Sequence, residues 1–156
     1  MPERPFGPAL ARVVRKRLRA LLDDADGAFR RGRDDELHAL RIDVKRLRYT
    51  LECALPLARA QTLAALDLLA LLQERLGDLA DADTFGRTYA RLAAAVSDDD
   101  VRAAGLATLA THAQRERERA LDAARALWRG NDAPYPERLA ASVSATLDSL
   151  SPNDAP

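Results

Sequence analysis

An all-α fold is predicted by three observations. Ala, Leu and Arg dominate the chain, and all three are at home in helices. Strand-type runs of Val, Ile and Thr are missing. Apolar residues recur at helical spacing along most of the length. The chain has 156 residues, the size of one domain. The breaks between periodic segments are short, so successive helices fold back on one another. The expected architecture is an antiparallel four-helix bundle with long helices plus a short C-terminal helix. Residues 1–150 form a single helical domain and 151–156 a disordered tail.

The first helix is predicted from Pro8 to Ala25. Its apolar stripe is Leu10, Ala11, Val14, Leu18, Leu21, Leu22 and Ala25. Asp26-Gly27 and Gly32 mark the connection. Asp34 or Asp35 caps the second helix, which runs to Ala58 with Pro56 in its last turn. Its core stripe is Leu37, Leu40, Val44, Leu47, Leu51 and Leu55. Thr62 opens the third helix, whose apolar face begins at Leu63 and continues through Leu66, Leu69, Leu72, Leu76 and Leu79. Gly77 weakens it by roughly 1 kcal/mol relative to Ala. The pattern resumes through Phe85, Tyr89 and Leu92 to Ala95.

Ser97-Asp98-Asp99-Asp100 is a helix-start signal, with short capping side chains and negative charge at the positive end of a dipole. The fourth helix follows from Val101 to Trp128. Its segment Gln114–Arg119 alternates in charge and reads as a solvated face. Gly130-Asn131 ends it. A last helix from Glu137 to Leu150 packs by Leu139, Val143, Leu147 and Leu150.

The formal net charge of zero conceals an asymmetry. Residues 1–60 hold 14 Lys and Arg against 9 Asp and Glu, and residues 61–156 hold 10 against 15. Only Lys16 and Lys45 are lysines. The arginine guanidinium is a planar fork suited to bidentate phosphate or carboxylate contacts. High-GC codon usage favours arginine as well. The single cysteine, Cys53, reads as a small buried or half-buried group in a reducing compartment. The N-terminal stretch lacks a signal-peptide core, and the longest apolar run, Leu63–Leu72, is too short to span a bilayer. A soluble, cytoplasmic protein is expected.

The most informative segment is Glu36–Glu52. At about 100° per residue, His38, Arg41, Lys45 and Arg48 share one stripe beside the core stripe, with Arg46 nearby. On the first helix Arg12, Arg15 and Arg19 form a second stripe, with Lys16 beside it. If both stripes flank the same seam, these cations converge. Crowded cations raise the local potential, and a flexible polyanion such as a phosphate chain relieves it. The competing reading is a solvated face laced with ion pairs, since Glu36, Asp43 and Glu52 lie close in sequence.

No nucleophile constellation, Gly-rich phosphate loop or G-x-S-x-G elbow is present, which argues against an enzyme. A zinc site is disfavoured because His38, His112 and Cys53 lack ligand spacing. The acidic set Glu74, Asp78, Asp81 and Asp83 more simply pairs with arginines than holds a divalent ion. No metal or cofactor is expected. Single-strand nucleic-acid binders interleave aromatics for stacking, and only Tyr49 lies near the stripe.

His38 to Glu52, H-x-x-R-x-x-x-K-R-L-R-Y-x-x-E, followed by Leu72 to Asp81, L-Q-x-x-L-G-x-x-x-D, resembles the CHAD domain, the conserved histidine α-helical domain. The two motifs cover Glu36–Asp83, and their order and spacing are more specific than either alone. The resemblance implies a helical domain that binds inorganic polyphosphate through a basic surface. By matching position it implicates His38, Arg41, Lys45, Arg46 and Arg48, with Arg12, Arg15 and Arg19 as the first-helix cations. Gln73, Gly77 and Asp81 match the second motif. Gly77 then reads as a close helix contact, and Asp81 as orienting an arginine of the patch.

A full CHAD domain is about twice this length and has two related halves. This chain resembles one half, more the second. A homodimer that rebuilds the missing half is the resulting expectation, as is association with polyphosphate granules. Two alternatives are a helical interaction protein whose basic stripe contacts an acidic protein or nucleic acid, and an accessory to enzymes acting on phosphorylated substrates.

Overall fold

The computed structural model describes residues 6–96 and 101–150. The cap expected at Ser97–Asp100 and the tail expected at 151–156 lie outside the described residues. Among those residues are five helices and no strand: α1 Phe6–Arg31, α2 Asp34–Glu52, α3 Arg59–Ala95, α4 Val101–Arg129 and α5 Tyr135–Leu150. The all-α bundle is as the sequence predicts.

Several boundaries differ from the sequence reading, each for a local reason. α1 does not stop at Ala25. Ala28 and Phe29 extend its buried stripe by another turn, at 2% and 3% exposure, and this burial carries the helix through Asp26-Gly27. The Asp26 carboxylate accepts a hydrogen bond from the Trp128 indole N–H at 2.5 Å. Gly32 then ends the helix with φ 64°, a left-handed conformation that suits glycine. Gly130 ends α4 in the same way, with φ 69°.

The residue at the α2 N-cap is Arg33, which makes no side-chain cap bond. Asp34, Asp35 and Glu36 fall inside the first turn, where their charge complements the helix dipole. α2 also stops early, at Glu52 rather than Ala58. Pro56 has no N–H to give the Glu52 carbonyl, and its ring crowds that carbonyl. The chain tightens instead into turns, with Ala54 N–H on Leu51 O at 2.8 Å and Leu57 N–H on Ala54 O at 2.9 Å. Cys53 falls in this turn and is exposed, not buried. α3 begins at Arg59, ahead of Thr62, which is buried and donates its hydroxyl to Ala58 O at 2.6 Å.

α2 packs on α1 and α3, and α4 reaches it through Arg117 on Asp34 at its first turn, so the outward face of α2 is open. α5 packs on α1 and α3 from the opposite side. α4 lies mainly along α3, and its C-terminal end reaches the top of α1 through Trp128, Phe29 and Tyr135. The start of α1 meets the end of α5, where a Cβ on Gly7 would come within 2.5 Å of the Leu150 carbonyl. The fourth corner of the bundle is therefore shared. The end of α4 fills it at one level, and α5 continues it to the other end. The short C-terminal helix is a full member of the core, with Tyr135, Leu139 and Val143 at 0% exposure. The Tyr135 hydroxyl donates to Leu68 O at 2.6 Å, tying α5 to α3.

On α3 the last buried residue is Ala82, and on α4 the first is Ala113. Beyond them the two helices pair as an arm. Phe85 and Leu92, expected on the apolar face, are 56% and 45% exposed there. Leu63, at the other end of α3, is also exposed. No helix among the described residues is long and apolar enough to cross a membrane.

Candidate functional site

The open face of α2 carries most of the predicted cations, and its two edges border different grooves. On the α3 side, His38 and Arg41 line a groove of about 570 Å³ with Leu37, Leu76, Leu79, Ala80, Thr84 and Arg87. Further along the same edge, Arg48 donates to Gln73 Oε1 at 3.0 Å and to Glu52 Oε1 at 3.1 Å. Its guanidinium also sits 5.7 Å from the centroid of the exposed Tyr49 ring. On the α1 side, Arg46 lines a second groove with Asp43, Val13, Lys16, Arg17 and Ala20.

Arg12, Arg15 and Arg19 do not join His38 and Arg41. They line a separate groove on the outer flank of α1 with Lys16 and Asp23. The side of α1 that faces α2 is marked instead by Arg17. Its guanidinium donates to Arg46 O at 2.7 Å and to the Thr50 hydroxyl. Arg17 is thus a tie between the helices rather than a free cation. Lys16 and Ala20 line both of these α1 grooves, and Lys16 is the cation common to them.

The structure sorts the α2 cations by partner. Arg46 pairs with Asp43 at 3.4 Å and Arg48 with Glu52 at 3.1 Å. These are the ion pairs that the local sequence suggests. His38, Arg41 and Lys45 have no ion pair or hydrogen bond among the described residues. The Arg41 Nε is fully buried and meets no protein acceptor. A buried donor without a partner costs free energy.

Two residues of the second motif behave differently from the sequence reading. A Cβ on Gly77 would meet nothing within 4 Å, so this glycine is not there for a close helix contact. Asp81 is exposed and holds no arginine; Gln73 orients Arg48 instead. Asp83, two residues on, does hold an arginine, Arg117 of α4. Arg117 also pairs with Asp34 and donates to Gly32 O at 2.9 Å. Its side chain is only 18% exposed, so this part of the charge-alternating segment is not a solvated face. Burial pulls the Arg117 pKa down, but hydrogen bonds and attraction from Asp34 and Asp83 outweigh it and hold the value above that of an ordinary arginine. Asp78 pairs with Arg75 at 3.5 Å. Among the described residues no group of three or more His, Cys, Asp or Glu is placed to hold a metal ion.

The family model for the CHAD domain matches residues 2–90, which takes in α1, α2 and most of α3. The chain belongs to the CHAD domain family. No curated protein and no solved structure matches it. CHAD domains are binding domains associated with polyphosphate, not known catalysts. The CHAD match ends at residue 90, so Arg117 and α5 lie beyond it.

Sequence reasoning missed Arg17, Arg87 and Arg117. Arg87 follows Ala80 and Thr84 on one α3 face at helical spacing. Only the pairing of α3 with α2 makes that face part of a site.

Proposed function

We propose that this CHAD domain binds inorganic polyphosphate non-catalytically through the open face of α2 and its two flanking grooves. The observation that carries this reading is the unpartnered set His38, Arg41 and Lys45, with the buried, unsatisfied Arg41 Nε at its centre. An extended anion on this face reaches Arg48 beyond them and Arg46 on the far edge. It reaches Arg12, Arg15 and Arg19 only by crossing the α1 flank by way of Lys16. The ligand is therefore a chain that wraps, not a compact anion. Counterion release makes such binding steeply salt-dependent.

Titration with long-chain polyphosphate tests the reading, with single-stranded DNA and orthophosphate as competitors. Tight binding of polyphosphate that neither competitor displaces is expected. Equal affinity for DNA sinks the reading in favour of a generic cation patch.

The protein acts as a homodimer that presents two such faces, in the cytoplasm and at polyphosphate granules. The single motif copy motivates the dimer, and exposed Phe85, Leu92 and Leu109 on the α3–α4 arm supply apolar surface for it. A strict monomer in sedimentation at tens of micromolar removes the dimer from this reading.

A further inference from the structure

The α2–α3 groove contains three carboxylates as well as its cations. Asp34, Asp35 and Asp83 all line it. Left free, they would repel any phosphate drawn to His38 and Arg41. None is free. Asp35 pairs with Arg33 at 2.9 Å. Asp34 and Asp83 are both taken by Arg117, which reaches the groove from α4. Arg87 lines the opposite wall, on α3, and has no partner among the described residues. The groove therefore presents cations from both walls, while two guanidiniums, Arg33 and Arg117, offset all but one negative charge of its three carboxylates.

Resting on the reading of this face as a phosphate binder, we infer that the groove is a two-walled anion site. Arg87 is a binding residue facing His38 and Arg41, and Arg117 is a positioning residue that keeps Asp34 and Asp83 from opposing the ligand. Arg117 touches no ligand. Its guanidinium is spent on two carboxylates and the Gly32 carbonyl, and its side chain is largely buried. The α4 helix, outside the CHAD match, thus contributes to affinity through charge alone.

Pyrophosphate is the probe, titrated into the full chain with the arginine Nε–Hε NMR resonances as readout. Arg41 and Arg87 should shift together with one Kd. Arg87→Ala should weaken binding on the order of tenfold, the value of one charge-assisted contact. Arg117→Ala should weaken it roughly fivefold to tenfold by freeing two nearby carboxylates. Adding Asp34→Asn and Asp83→Asn to Arg117→Ala should restore affinity to the starting value or up to about threefold above it, because it removes both freed charges where Arg117 had offset only one. Affinity should recover more fully than stability, because the hydrogen bonds of Arg117 to the Gly32 carbonyl and the two carboxylates are not rebuilt, which separates charge from structure. Unchanged binding in Arg87→Ala, or no recovery in the triple variant, overturns the inference.

Should Arg117→Ala fail to fold, Asp34→Asn alone serves. Asp34 is 53% exposed, so this substitution leaves Arg117 in place on Asp83; removing the one uncompensated charge should tighten binding roughly threefold. Unchanged affinity there is equally fatal. If long-chain polyphosphate binds while Arg41 and Arg87 do not shift, the groove assignment falls and the polyphosphate reading stands. If pyrophosphate binds the groove and chain length adds nothing, the groove stands and the polymer reading falls.

Discussion

Replacing Gly77 by alanine should make the protein more stable. The site is half-buried in the middle of α3, a 37-residue helix. A Cβ placed there meets no atom within 4 Å, so the substitution adds no strain. What remains is helix propensity and the smaller conformational freedom of alanine in the unfolded chain, together about 1 kcal/mol. For a chain of this size that shifts Tm upward by about 2–4 °C. Urea unfolding followed by circular dichroism reads it as a higher midpoint at unchanged slope. Gly7→Ala is the contrasting control, because its Cβ would lie 2.5 Å from the Leu150 carbonyl and must push α1 off α5. A destabilised Gly77→Ala refutes the open-space argument and restores a packing role. A stabilised Gly77→Ala that no longer binds polyphosphate would instead mean that the ligand approaches the α3 backbone.

Two further outcomes follow from partners and burial. Arg41→Ala should weaken polyphosphate binding more than Arg46→Ala, since Arg46 is half-neutralised by Asp43 while Arg41 has no partner; isothermal titration at two salt concentrations compares them. Burial pushes the Tyr135 phenol well above its ordinary value, against a smaller opposing effect from Arg138. The native state therefore keeps this proton where the unfolded chain releases it. Stability should fall above about pH 10 by up to about 1.4 kcal/mol per pH unit, and Tyr135→Phe should flatten that fall while costing about 1 kcal/mol at neutral pH through the lost Leu68 bond. Denaturant melts of both proteins from pH 8 to 11 check it, and parallel curves refute it.

The fold was legible because each helix carries its own apolar period. Leu37, Leu40, Val44, Leu47 and Leu51 read as a stripe and are all buried. Errors came where tertiary contacts overrode local signals. Asp26-Gly27 reads as a turn, yet Phe29 and Trp128 bury the next turn and keep it helical. Phe85 and Leu92 fit the period of α3, but the partners that would bury them end before they do. In the site, the α2 stripe was legible because it lies on one helix. That Arg17 faces α2 while Arg12, Arg15 and Arg19 face away depends on which side of α1 packs, and cations on both flanks do not reveal that. Arg117 lies more than eighty residues from Asp34, beyond the reach of any local pattern.

The adjacency of Gly7 and Leu150 has a topological consequence. The bundle is entered and left at the same end. A linker of about ten residues could therefore join the α5 of one copy to the α1 of a following copy without unwinding either. Duplication of the coding segment in tandem is geometrically permitted from the outset. So is circular permutation, with the old ends joined and new ones opened in the arm. A longer protein with two such units could be built from this one by repetition alone.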